Sequence, residues 1–210
     1  LHQILWDIYD KCQPSISSIL EVIVVDDCSD ALDYHDGLEW WKGNGMLPIR
    51  HVRMNKNVGF LKASNTGLKK ADGDVVCLIS NDVRIYKDIV RGIFDKISGW
   101  PVPVLVGGRL LDWNTGWNEF DGKIFNYLEG WLLATTKYAW SELFYFDEQF
   151  VPHDFEDVSL STKALSLGYE LIELPSEMTH HLSGQSIGFS SEREDITKRN
   201  REIFKQLWIK

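Results

Sequence analysis

The chain has 210 residues, 44% apolar and 25% charged, with 22 Lys and Arg against 31 Asp and Glu, a formal charge of −9. This is the balance of one soluble globular domain of ordinary size, which excludes a disordered tail, a collagen-like repeat and a bare coiled coil. No basic stripe is present, which argues against nucleic acid as a partner. The longest apolar runs, Val22 to Val25 and Val75 to Ile79, fall far short of the roughly 20 residues that span a bilayer. The three scattered cysteines, Cys12, Cys28 and Cys77, make neither a disulfide framework nor a CxxC zinc pair. Cys12 and Cys77 lie among apolar residues and read as buried thiols, and a reducing, cytoplasmic setting is expected.

The chain opens on a helical stripe of Leu1, Ile4, Leu5, Ile8, Tyr9 and Cys12, closed by Pro14. Val22 to Val25 reads as a strand buried on both faces, as in a parallel sheet, and it ends in Asp26-Asp27-Cys28-Ser29-Asp30. A short helix is predicted over Asp36 to Trp41, a strand over Ile49 to Met54, and a helix over Phe60 to Ala71. The third strand, Val75 to Ile79, also ends in a polar cluster, Ser80-Asn81-Asp82. Helix over Tyr86 to Ser98, strand over Val104 to Leu111, and a Trp-, Asn- and Gly-rich loop over Asp112 to Gly122 follow. Then come strand Tyr127 to Thr135, helix Lys137 to Leu143, an irregular Phe146 to Phe155, helix Asp154 to Leu167, strand Tyr169 to Leu174 and a charged helix Glu192 to Ile209. Strands alternating with helices over the first hundred residues predict an α/β fold with a mostly parallel central sheet flanked by helices. Ligands bind beyond the carboxyl ends of such strands, so the acidic clusters at 26–27 and 82 are expected to share one crevice.

Each candidate residue has a plain structural alternative. Asp26 and Asp27 either cap a strand end or hydrogen-bond a nucleotide base or ribose. Asp82 is either a turn residue or an oxygen ligand for a hard cation. Glu156 and Asp157 open a helix, where acids complement the dipole, and the same dipole keeps an Asp ionised for general-base work. Adjacent His180 and His181 cannot both point one way from an extended chain, so one is open to metal binding and the other packed or exposed. Gly59 permits a tight turn after Asn57, and Asn65 in a helix interior implies a specific partner. No GK[ST] follows a Gly-rich run, so this is not a P-loop.

The order of the motifs says more than any one of them. Val-Ile-Val-Val-Asp-Asp-Cys-Ser-Asp (22–30), Asn-Val-Gly-Phe-Leu-Lys-Ala-Ser-Asn-Thr-Gly (57–67), Leu-Ile-Ser-Asn-Asp (78–82), Phe-Asp-Glu-Gln-Phe (146–150), Phe-Glu-Asp-Val-Ser-Leu (155–160) and His-His-Leu-Ser-Gly-Gln-Ser (180–186) follow in turn. Together they resemble the family 2 glycosyltransferases, closest to rhamnosyltransferase-like members, over roughly residues 20 to 188. The resemblance implies a single GT-A nucleotide-diphospho-sugar transferase domain over 1–210, with a nucleotide-binding half (1–110), an acceptor and catalytic half (111–190) and a terminal helix (191–210). It implies that Asp26 and Asp27 contact the nucleotide, with Asn57, Gly59, Asn65 and Asn81 also in the donor site. Gly130 and Trp131 would line the donor-sugar and acceptor pocket. Asp82 stands for the second acid of an Asp-x-Asp and, with His181 (His180 remaining open), for the ligands of Mn²⁺ or Mg²⁺ on the donor diphosphate. Asp157, beside Glu156, stands for the base in an inverting transfer to a glycan or lipid-linked acceptor in surface polysaccharide synthesis, with peripheral membrane contact.

Two departures stand out. Ser80 replaces the first acid of Asp-x-Asp, and nothing in Leu1 to Cys12 matches the family's opening strand. A sheet lacking a strand is therefore expected, with one wall of the nucleotide site missing and an exposed edge that favours association. A non-catalytic remnant that binds nucleotide-sugar or a partner is the rival reading. A phosphoacceptor receiver domain also opens on Val-Val-Asp-Asp, but the late Glu-Asp and His-His segments have no place in it.

Overall fold

A computed structural model describes residues 1–30, 32–182 and 191–209. Helix α1 (His2–Lys11) buries Ile4 and Leu5, and a 3₁₀ turn over Gln13–Ser18 carries Pro14 near its start. Strand β1 (Val22–Asp26), helix α2 (Leu32–Asn44) and parallel strand β2 (Ile49–Arg53) form the first βαβ unit. Helix α3 (Phe60–Lys70) leads to β3 (Val75–Ile79) and β4 (Val83–Ile85), and α4 (Ile89–Gly99) is capped by the Asp88 carboxylate accepting from Arg91 N–H. Four short strands, β6 (Leu110–Leu111), β7 (Glu119–Phe120), β8 (Lys123–Ile124) and β9 (Tyr127–Leu128), separate β5 (Val104–Gly107) from β10 (Leu132–Thr136). The chain closes with α5 (Lys137–Glu142), α6 (Glu156–Ser166), β11 (Glu170–Glu173), β12 (Thr179–His181) and α7 (Ser191–Trp208).

The predicted parallel sheet is mixed. Its order is β11-β5-β10-β3, with β11 parallel to β5 and β10 antiparallel to both neighbours. The reason is the connection: between β5 and β10 the chain makes a short-stranded excursion with no crossover helix, so it re-enters the sheet at the end it left. That excursion splits two predicted strands. Val104 to Leu111 breaks at Gly108, and Tyr127 to Thr135 breaks at Glu129-Gly130-Trp131, which places those three residues at the carboxyl edge of β3 and β5. Helix α6 starts at Glu156 rather than Asp154, because Asp154 and Phe155 both take left-handed backbone, with φ of 70° and 73°.

Among the described residues β1 pairs only with β2 and β3 only with β10. Between the unpaired edges lies a cavity of about 2070 Å³ lined by every residue of both strands. One face of this gap is walled by α3, whose Leu61 and Leu68 pack with Val76, Leu78 and Ile23. The other is walled by α1 and α4, whose Ile4, Ile89 and Ile93 pack with Val75 and Ile79. Strand β1 is therefore half-buried, not covered on both faces, and Cys77 is open to the cavity while Cys12 is fully buried.

Candidate active site

The carboxyl ends of β1 and β3 open on this one cavity, so Asp26, Asp27, Asn57, Gly59, Asn81 and Asp82 share a crevice with Gly130, Trp131, Glu156, Asp157 and His181. Asp26 is 2% exposed, and its carboxylate accepts from Ser29 N–H and the Arg53 guanidinium. Burial alone would raise its pKa, but the Ser29 and Arg53 bonds win and hold it low. The two Asp27 oxygens accept from Val58 N–H and Gly59 N–H, each at 2.8 Å, and Asn57 Oδ1 also accepts from Gly59 N–H. Gly59 takes φ 84° at the start of α3. Asp27 thereby folds the 57–59 loop onto the strand end. Asp26 lines the crevice with its carboxylate buried and engaged by Ser29 and Arg53.

Asn65 is also engaged within the chain. It is 2% exposed, accepts from Phe146 N–H, and donates to Phe146 O and Glu148 Oε1. It ties α3 to the loop after α5.

Strand β12 pairs antiparallel with β4, opposing His181 to Val83 and His180 to Arg84. Period-two alternation then sends only one histidine toward the crevice. His181 Nε2 lies 3.3 Å from Asp82 Oδ1, and His180 is exposed on the other face. Arg84, opposite His180, pairs with Asp7 at 2.7 Å. Gly184 and Ser186 lie outside the described residues. The His181 ring stacks on Trp131, with centroids 5.2 Å apart and planes at 17°. Trp131 Nε1 donates to Glu129 Oε2. A Cβ at Gly108 would sit 1.9 Å from the Trp131 ring, so only glycine leaves the indole room.

Among the described residues no three His, Cys, Asp or Glu side chains converge to hold a metal by themselves. Asp82 and His181 supply one oxygen and one imidazole donor. That set fits a divalent cation whose other ligands come from a diphosphate and water.

At the start of α6, Asp157 accepts from Gly130 N–H at 3.1 Å and from Val158 N–H at 2.8 Å. Burial, opposed by these two bonds, pushes its pKa up to about 7. The pKa of Glu156 is raised well above its ordinary value, first by burial and then by the Asp157 charge, and its Oε2 has no hydrogen-bond partner among the described residues. Both carboxyls of the pair are thus pushed upward, Asp157 to the neighbourhood of neutrality.

The sequence reading missed what holds this pair in place. Burial would raise the pKa of Asp154, but His153, Thr197 and Arg193 together hold it well below the carboxylate range. Thr197 Oγ1 donates to it at 2.6 Å and Arg193 Nη2 at 3.1 Å, both from α7. Asn200, fully buried, donates to the carbonyls of Phe150, His153 and Asp154. Helix α7, read from the sequence only as a charged terminal helix, therefore clamps the loop that presents Glu156 and Asp157. An asparagine in a helix interior was the available signal.

The comparisons agree with this architecture. The profile of glycosyl transferase family 2 matches residues 2–151. A curated relative, the inactive polypeptide N-acetylgalactosaminyltransferase-like protein 5 of Macaca fascicularis, is 23% identical over 90% of the chain and 50% of its own length. A mannosyltransferase from Pyrobaculum calidifontis, solved with GDP-Man and Mn²⁺, superposes with TM-score 0.66 at 21% identity over 87% of the chain and 53% of its own. GalNAc-T7, solved with UDP, GalNAc and Mn²⁺, gives 0.69 at 16% identity over 90% of the chain and 42% of its own. The chain thus spans about half the length of these relatives. It has the GT-A fold and belongs to glycosyl transferase family 2.

Proposed function

We propose that this domain transfers a sugar from a nucleotide-diphosphate donor to a hydroxyl of a glycan or lipid-linked acceptor with inversion. The observation that carries the reading is Asp157, a half-buried carboxylate with its pKa pushed up to about 7, anchored by Gly130 N–H in the crevice that Asp82 and His181 share. A base with a pKa near the working pH combines a useful ionised fraction with enough basicity to take a hydroxyl proton. Asp157 takes that proton as the acceptor oxygen attacks the anomeric carbon, opposite the departing diphosphate. Burial and the Asp157 charge push the pKa of Glu156 beside it upward, which disfavours a second charge against the base. A retaining glycosidase works with two carboxyl groups in opposed roles across one glycosidic bond, whereas adjacent residues in one helical turn are not so placed. Asp82 and His181 would hold Mn²⁺ or Mg²⁺, which supplies charge neutralisation for the leaving diphosphate. Synthesis of surface polysaccharide at the cytoplasmic face of a membrane is the setting we propose. No described helix is long and apolar enough to cross a membrane.

One observation favours a second reading. Ser80 stands where an acid is expected, and the metal set has two protein donors, which suits a remnant that binds nucleotide-sugar without turning it over. A thermal-shift panel of UDP-, dTDP- and GDP-sugars, with and without Mn²⁺, separates the two. A ligand at a hundred times its Kd stabilises by about 2.7 kcal/mol. We expect an Mn²⁺-dependent shift for one nucleotide, lost in Asp82→Asn and kept in Asp157→Asn. Release of nucleotide from the stabilising donor by wild type, but not by Asp157→Asn, supports catalysis. A shift without release supports the remnant, and no shift at all removes the donor site.

A further inference from the structure

The loop between β6 and β7 places an exposed tryptophan on a rigid mount. Trp117 is 55% exposed and lines the cavity that holds Asp157. Large exposed indoles are normally left on mobile or incidental surface, yet the backbone here is fixed from below. Asn118, fully buried, accepts from Thr115 N–H and Thr115 Oγ1, and donates to the carbonyls of Trp113 and Phe125. From α7, Arg201 donates to the carbonyls of Trp117 and Glu119, with its guanidinium 4.0 Å from the Phe120 ring centre. A tryptophan held this way offers a large flat face at low cost in conformational entropy.

Its position follows from a run of contacts. Asp82 meets His181, His181 stacks on Trp131, and the neighbouring Gly130 N–H holds Asp157. Tyr127 lies within the field of Asp157 and hydrogen-bonds Thr115, two residues from Trp117. Asp82, Asp157 and Trp117 line the same cavity, with Tyr127 and Glu129. An in-line displacement requires the attacking hydroxyl to come from the side opposite the leaving group, so an acceptor needs a subsite in this cavity apart from Asp82. Trp117 offers it an apolar indole face, and the Tyr127 hydroxyl, the Glu129 carboxylate and Asp157 line the same space with polar groups. A pyranose ring has the matching shape, with C–H bonds on one face and hydroxyls around its rim. An acyl chain has no use for the fringe, and a short hydroxyl side chain of a peptide does not cover an indole.

We propose that Trp117 is the stacking platform of an acceptor subsite, and that the acceptor moiety bound there is a pyranose ring of a glycan. This rests on the reading of Asp157 as the base. The test is ligand-observed saturation-transfer NMR with methyl pyranosides and short oligosaccharides of glucose, galactose, mannose and rhamnose. The proteins are wild type, Trp117→Ala, Trp117→Phe and Trp113→Ala. Nucleotide binding with Mn²⁺ is measured on each by thermal shift. At least one sugar is expected to bind wild type through its ring C–H face, about tenfold more weakly to Trp117→Ala, nearly normally to Trp117→Phe and unchanged to Trp113→Ala. Nucleotide shifts stay the same in all four. Equal sugar binding to Trp117→Ala, or no sugar contact in a wild type that still binds nucleotide, overturns the platform and leaves the donor reading standing. A serine- or threonine-bearing peptide that binds through Trp117 where no sugar does overturns the carbohydrate class. Loss of nucleotide binding from wild type itself overturns the underlying reading, and this inference with it.

Discussion

Replacing Asp157 by Asn should make the protein more stable at and above neutral pH and less stable in acid, with the sign changing near pH 5. The folded-state pKa is about 7, against 3.8 as the ordinary value. A carboxyl group with a raised folded pKa favours the native state while protonated, and that advantage is lost as pH rises from about 4 through about 7. At pH 8 the full cost of ionisation in place is at most about 4 kcal/mol, from roughly 1.4 kcal/mol per unit. Asp157 is partly open to the water-accessible cavity, which we take to halve that to about 2 kcal/mol. Asparagine removes the charge but offers one acceptor oxygen, so one of the bonds from Gly130 N–H and Val158 N–H is lost, at about 1 kcal/mol. The net is about 1 kcal/mol gained at pH 8 and about 1 kcal/mol lost at pH 4, the two effects cancelling near pH 5. For a chain of this length that is a Tm difference of about 2–4 °C, changing sign between the two ends. Differential scanning calorimetry of both proteins from pH 4 to 8 reads it directly. A Tm difference that is constant across this range refutes the raised pKa and, with it, the argument for a base tuned to neutrality.

Two further outcomes follow from packing. Asn65→Leu strands the buried N–H and carbonyl of Phe146, which should cost about 3 kcal/mol and lower Tm by roughly 6–12 °C. A variant with unchanged Tm and lost donor binding would put Asn65 in the nucleotide site. Gly108→Ala pushes a methyl group into the Trp131 ring, so the indole must leave His181. We expect lost sugar transfer and about 1–3 kcal/mol of destabilisation, whereas Gly43→Ala, with open space around it, should leave transfer unchanged.

What the sequence disclosed depended on how local the cause was. Strands β1 and β3 were legible because runs of β-branched residues end abruptly in polar clusters. Helix α3 was legible from its apolar face. The break at Glu129-Gly130-Trp131 was not, because the residues on either side keep a strand-like pattern and only the pairing of Leu132 with Ile79 shows where the strand begins. Asp82, His181, Glu156 and Asp157 were found through the order of their motifs, and the structure brings them to one cavity. The motif already favoured His181 over His180, and the register of β12 against β4 turns His181 toward Asp82. Asp154, Asn200 and Trp117 were missed because their roles arise only when α7 docks, some 40 to 85 residues away in sequence.

The gap between β1 and β3 divides the crevice between two cooperative units. Asp26, Asp27 and the loop that Asp27 holds belong with the β1–α2–β2 unit, whose strands do not join the ladder of the larger sheet. Asp82, Trp131 and Asp157 are built on the larger sheet. Regions with fewer tying hydrogen bonds open at lower free energy than the global barrier. A ligand that touches both walls therefore does more than occupy a preformed site: it couples the opening of the smaller unit to that of the larger one. Part of its binding energy goes into that coupling, so affinity and the rigidity of the first βαβ unit rise and fall together.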